Sequence, residues 1–128
     1  MAYKILKHLY DIREAASAIQ DFIAGKTFQD YQSDELLHSG IERKFEIIGE
    51  ALNRIRRDDS SLLDRIRGNR SIISFRNILI HGYDAIDTRI VWGIIKEDLN
   101  HLVEDVENII KEGNPAVDAD EPADDLES

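Results

Sequence analysis

Apolar residues return every three or four positions along most of the chain. Ile5, Leu9, Ile12, Ala16, Ile19 and Ile23 form one series. Leu37, Ile41, Phe45, Ile48, Leu52 and Ile55 form a second, and Ile95, Leu99, Leu102, Val106 and Ile109 a third. Steps of four and three place each series on one stripe of an α-helix. No proline precedes Pro115, so nothing breaks helices of that length. The pattern predicts an all-α fold, a four- to five-helix up-and-down bundle.

Punctuation marks the ends of these helices. Gly25 stops the first, and Phe28 and Tyr31 anchor the polar connection that follows. Asp34 caps the second. Asp58-Asp59-Ser60-Ser61 interrupts it, and either serine can cap a short helix running through Arg67. Gly68-Asn69 is a turn signal. Ser71 to Ile80 is apolar on most sides and reads as a buried helix ended by Gly82. Asp87 or Thr88 caps the last helix, and Gly113 closes it. Leu6, Ile47 and Ile94 lie off the main stripes. That surplus of apolar surface points to burial against a second copy, a homodimer.

The 128 residues fit one domain, large enough to bury about two thirds of its unfolded surface. Without cysteine there is no disulfide framework, thiolate metal site or cysteine nucleophile. Lys4, Lys7 and His8 break the apolar start, so it is not a secretory signal. No window approaches a membrane span. A cytoplasmic location is the expectation.

The net charge of −10 is unevenly spread. Residues 113–128 hold six acids, both prolines and no base, the composition of a disordered acidic tail. The helical domain is expected over 1–112, with a net charge of −4. Between Arg43 and Arg76 the sign reverses, with nine bases against five acids. Eight of the nine are arginine, the side chain suited to two-pronged phosphate contact. The same residues can equally be spent on salt bridges between helices.

The segment Arg76-Asn77-Ile78-Leu79-Ile80-His81-Gly82-Tyr83-Asp84 concentrates the polar chemistry. A guanidinium amid apolar residues needs a counter-charge, which Glu46 or Glu50 can supply. Arg76 can grip phosphate oxygens, and an imidazole at His81 can move a proton near neutral pH. Five residues turn an ideal helix by about 140°. Arg76 and His81 therefore leave different faces, unless the helix unwinds near Gly82. Otherwise the site is completed across a twofold axis. His38 with Glu42, and His101 with Asp98 or Asp105, have metal-ligand spacing, but such pairs arise often by chance, and no metal is expected.

Arg, Asn, three apolar residues, His, any residue, then Tyr resembles the RX4HXY signature of HepT-like toxins of the HEPN superfamily. Arg43 to Ala51 is similar to the R-x-x-E-x-x-G-E-A stretch of that family's second helix. Asp87 to Trp92 is similar to the aromatic-bearing start of its last helix. Together the three pieces span nearly the whole folded part.

The resemblance implies a metal-independent endoribonuclease that acts on transfer or messenger RNA and needs no cofactor. Arg76 and His81 would be catalytic and would face one cleft in a homodimer. Asn77 and Glu46 would support them. It also implies a partner, a minimal nucleotidyltransferase (MNT) antitoxin, which would transfer AMP to Tyr83 and so block the phosphate site. The rival expectation is a non-catalytic helical subunit that docks against such a nucleotidyltransferase.

Overall fold

A computed structural model of the protein describes residues 2–82 and 86–113. The acidic tail from residue 114 onward, Tyr83 and Asp84 lie outside the described residues. Helices α1 (Tyr3–Ile23), α2 (Phe28–Gln32), α3 (Glu35–Asp58), α4 (Ser60–Leu63) and α5 (Asn69–His81) follow in chain order. Helix α6 (Thr88–Gly93) continues through a π turn (Ile94–Asp98) into α7 (Leu99–Gly113). There is no strand among the described residues. This is the all-α helical bundle that the periodicity predicts.

Helix α1 packs on α3 and α7, and α3 packs on α5. The three apolar stripes meet between them. Leu9, Ile12, Ile19, Ile41, Phe45, Leu52, Leu99 and Leu102 are fully buried. Phe45 meets Phe75 edge to face with ring centres 5.4 Å apart, which ties α3 to α5. Burying each large side chain contributes about 1.5–3 kcal/mol, which offsets the ordering of the helices.

The connection after Gly25 is ordered by a short helix. Thr27 accepts from the Asp30 amide while the Asp30 carboxylate accepts from the Thr27 amide, a reciprocal capping box. Tyr31 is fully buried, and Phe28 is partly buried against the core. Trp92 of α6 stacks on Tyr31 at 5.4 Å and approaches Phe28 at 6.0 Å. The aromatic start of the last helix therefore acts as a clamp on this connection. Burial, with Glu42 nearby, pushes the Tyr31 phenol up to about 12. Asp34 and Asp87 cap α3 and α6 as expected.

Three features differ from the sequence expectation. Asp59, rather than a serine, caps α4 by accepting from the Leu62 amide at 3.1 Å, and α4 ends at Leu63. The carboxylate also holds the Ser61 hydroxyl at 2.8 Å, so that serine is spent. Helix α5 is buried only over its first half, through Ile72, Ile73 and Phe75. Ile78 is 37% and Ile80 52% exposed, because α3 covers only one side of that end. Ile94 is buried within the chain rather than spare. The π turn adds a residue to the helix, which brings Ile94 and Ile95 inward together.

Candidate active site

Helix α5 is bounded by two glycines in the left-handed region, Gly68 at φ 82° and Gly82 at φ 69°. Side chains resist that conformation, so both ends of the helix are fixed where the sequence puts glycine. At Gly68 the fit is also tight. A Cβ there would sit 2.9 Å from the Asp98 carbonyl oxygen in the π turn.

Arg76 leaves α5 toward α3. Its stem lies against Gly49, where an added Cβ would collide with the Cβ and Cγ of Arg76. Its Nη2 donates to Glu50 Oε1 at 2.5 Å. Its Nη1 reaches Asn77 Oδ1 at 3.4 Å, a weak contact. The side chain is 22% exposed, and Nε is buried without a hydrogen-bond partner among the described residues. Glu50 is shared, since its Oε2 accepts from Arg54 Nε at 3.1 Å.

The carboxylate paired with Arg76 is thus Glu50. Glu46, assigned the supporting role from the sequence, pairs instead with Arg43 at 3.3 Å. The two acids lie one turn apart on α3, and the close approach of Arg76 at Gly49 selects the nearer one. Asn77 is exposed and beside Arg76. Neither Gly49 nor Arg54 was among the expected site residues. Their signal was present in the G-E-A stretch and in the four-residue step from Glu50 to Arg54.

His81 is the last residue of α5 and is exposed. The helix holds its geometry through His81 and ends at Gly82, so it does not unwind to bring the imidazole round. Arg76 and His81 therefore stay about 140° apart about the axis. Within one chain the guanidinium lies against α3 and the imidazole leaves from another side.

Most of the arginine-rich segment is spent on internal pairs. Arg65 bridges to Glu112 at 2.7 Å. Arg67 bridges to Asp105 and Glu104, both at 2.9 Å, and contacts His101 at 3.2 Å. These contacts fix the α4–α5 connection onto α7. They place His101 in an ion-pair network and answer the question left open by the charge pattern for these residues. The His38 ring lies tilted against Tyr31, with ring centres 4.6 Å apart. Among the described residues no group of three or more histidines or acids is placed to hold a metal ion. No described helix is long and apolar enough to cross a membrane.

Known proteins match this chain over most of its length. The family model described as Ribonuclease HepT-like matches residues 12–109. A protein of Thermococcus cleftensis named as a ribonuclease HepT is 36% identical over 95 residues, covering 74% of this chain and 86% of that one. A candidate RNase of Methanocaldococcus jannaschii is 32% identical over 99 residues, covering 77% and 90%. A second from the same organism is 30% identical over 104 residues, covering 81% and 85%. No solved structure gives a significant match. The family match begins within α1, takes in the anchored Arg76 and ends within α7, so the correspondence is one of whole domains, and the chain belongs to the HepT-like ribonuclease family of the HEPN superfamily.

Proposed function

We propose that the protein is a metal-independent endoribonuclease whose site is completed by two copies of the chain. The observation that carries this reading is the anchored guanidinium of Arg76 on the same rigid helix as His81. RNA supplies its own nucleophile. The ribose 2′-oxygen attacks the neighbouring phosphorus and the bond to the 5′-oxygen breaks. The products are a 2′,3′-cyclic phosphate and a 5′-hydroxyl. One imidazole takes the 2′-hydroxyl proton and another protonates the departing oxygen. Arg76 stabilises the charge on the phosphorane oxygens. Because Arg76 and His81 leave different sides of α5, a twofold pairing is the economical way to bring such groups around one phosphate.

We further propose that the protein is the toxin of a two-component pair. A cognate MNT-type nucleotidyltransferase would neutralise it by AMPylation. The Tyr83 oxygen would attack the α-phosphorus of ATP and release pyrophosphate, and the phenol proton would go to solvent. AMP two residues from His81 would put a bulky anion where substrate phosphate has to bind.

RNA incubated with protein and EDTA tests the first reading. Cleavage that survives chelation and is lost in His81→Ala and Arg76→Ala supports it. Absence of cleavage by the wild type favours a docking subunit instead. Mixing His81→Ala with Arg76→Ala subunits tests the shared site, because only a site drawn from both chains changes activity in mixed dimers. Intact mass after coexpression with the nucleotidyltransferase reports AMP on Tyr83.

A further inference from the structure

A recess of about 210 Å³ lies between α1 and α3, beside the Arg76–Glu50 pair. His8 and Asp11 of α1 border it on one side, and Arg43, Glu46, Glu50 and Arg54 of α3 on the other. His8 is only 7% exposed, and its Nε2 is buried without a hydrogen-bond partner among the described residues. An unmet buried polar atom is destabilising, and a ligand that met it would recover that loss. Burial, followed by the nearby Arg54 charge, holds the His8 imidazole below its ordinary value. At neutral pH the ring is therefore uncharged and offers one donor and one acceptor.

The chemistry of the recess narrows its occupant. Three carboxylates face two guanidiniums, which disfavours a phosphate. Arg43 spends one contact on Glu46 and Arg54 one on Glu50, so each keeps donors in hand. The volume is below the roughly 300–1,000 Å³ of pockets that enclose a drug-sized ligand. A single planar, neutral ring system with donors and acceptors on its edges suits it, with Ile47 as an apolar wall. Guanine matches both kinds of group at once. Its N1–H and N2 amine face a carboxylate, and its O6 and N7 accept from a guanidinium.

Position links the recess to the reaction. Glu50 holds Arg54 of the recess with one oxygen and Arg76 with the other. A base seated there would lie one carboxylate's width from the phosphate-gripping guanidinium. We propose that the recess between α1 and α3 binds a guanine base of the RNA strand next to the phosphate held at Arg76. This rests on the ribonuclease reading above.

Two measurements on the full-length protein test it. In the first, cleavage ends are mapped on a mixed-sequence RNA and on the same RNA carrying inosine for guanosine. The expected result is guanosine enriched at one flanking position by about tenfold, the worth of one good bidentate contact. Inosine, His8→Gln and Arg43→Ala should each reduce that enrichment. In the second, guanosine 3′-monophosphate is titrated against the His8 ring resonances, with the other three nucleotides as controls. Cleavage without guanosine preference, or a preference unchanged in both variants, overturns the proposal. So does binding of the free nucleotide with no preference in RNA. If the wild type cleaves no RNA, the ribonuclease reading fails. The recess is then judged on the titration alone, where guanine-specific shifts of His8 support it and their absence overturns it.

Discussion

Gly49 lies directly beneath the stem of Arg76, so close that no side chain fits between α3 and α5 at that point. The approach brings the guanidinium level with Glu50 and not Glu46. Glycine inside a helix costs about 1 kcal/mol relative to alanine, and here the closeness of the two backbones offsets that cost.

Gly49→Ala should therefore displace Arg76. Overpacking of this kind costs about 1–3 kcal/mol of stability. The loss of RNA cleavage should be larger than the stability loss explains, because the guanidinium moves with its stem. Urea unfolding and a cleavage rate on the same sample check the two together.

Glu50→Ala leaves the partly buried Arg76 without its counter-charge and should lower cleavage by about 10²-fold, the scale of misplacing a catalytic group by an ångström. Glu50→Gln keeps an acceptor in the same place and should recover part of the rate. Glu46→Gln, whose carboxylate pairs with Arg43 rather than Arg76, should change the rate at sites without guanosine by no more than about twofold. Equal losses in Glu46→Gln and Glu50→Gln would contradict this assignment.

His8 gives stability a pH dependence of known sign. Its folded value is held below 6.5, chiefly by burial. The unfolded chain then binds the proton more readily, so stability is complete above 6.5 and declines as pH falls from there through the folded value. Replacing His8 with Gln should flatten the curve between about pH 7 and 5. Chemical unfolding across that range reads the effect.

Arg67 holds the Asp105 carboxyl below the ordinary carboxylate range through its hydrogen bonds. That contribution is present above pH 3.8 and fades as pH falls through the lowered value. Asp105→Asn should cost about 1–3 kcal/mol at neutral pH, the range for hydrogen bonds to charged groups. Its deficit should shrink under acid, when the wild type loses the same charge. Urea unfolding of both proteins at neutral and acid pH makes the measurement.

Gly68→Ala combines a left-handed backbone with a crowded Asp98 carbonyl. It should cost about 1–3 kcal/mol. Gly93→Ala is the contrast: its backbone is ordinary helix and nothing lies within 4 Å of an added Cβ. It should leave the isolated chain no less stable. Thermal melts of the two variants side by side make the comparison.

The helices were legible because one stripe of each faces a common core, and a 3.6-residue period records that directly. Their ends were legible where glycine takes positive φ or an acid caps an amide, as at Gly82 and Asp87. The pairing of Arg76 was legible only as a choice. Glu46 and Glu50 share a stripe, and their rank depends on how far α5 slides along α3, which Gly49 and the Phe45–Phe75 contact decide in three dimensions. The even balance between phosphate binding and salt bridges could not be resolved from composition, since the partners Glu104, Asp105 and Glu112 lie some 40 residues further along the chain. His8 gave no signal, because an orphaned nitrogen is a property of packing. The π turn gave none either, since Ile94 to Asp98 are ordinary helix formers.

That turn gives the last helix two facings in one continuous rod. Upstream, Trp92 meets the α2 aromatics, and downstream, Leu99 and Leu102 enter the core beside α1. Deleting a single amino acid there would twist the two portions by about 100° relative to each other and part Trp92 from Tyr31. Lys96 and Glu97 are solvent-facing, and the Lys96 ammonium lies over the Trp92 ring, 5.4 Å from its centre. The stretch that contains them is not free to vary in length.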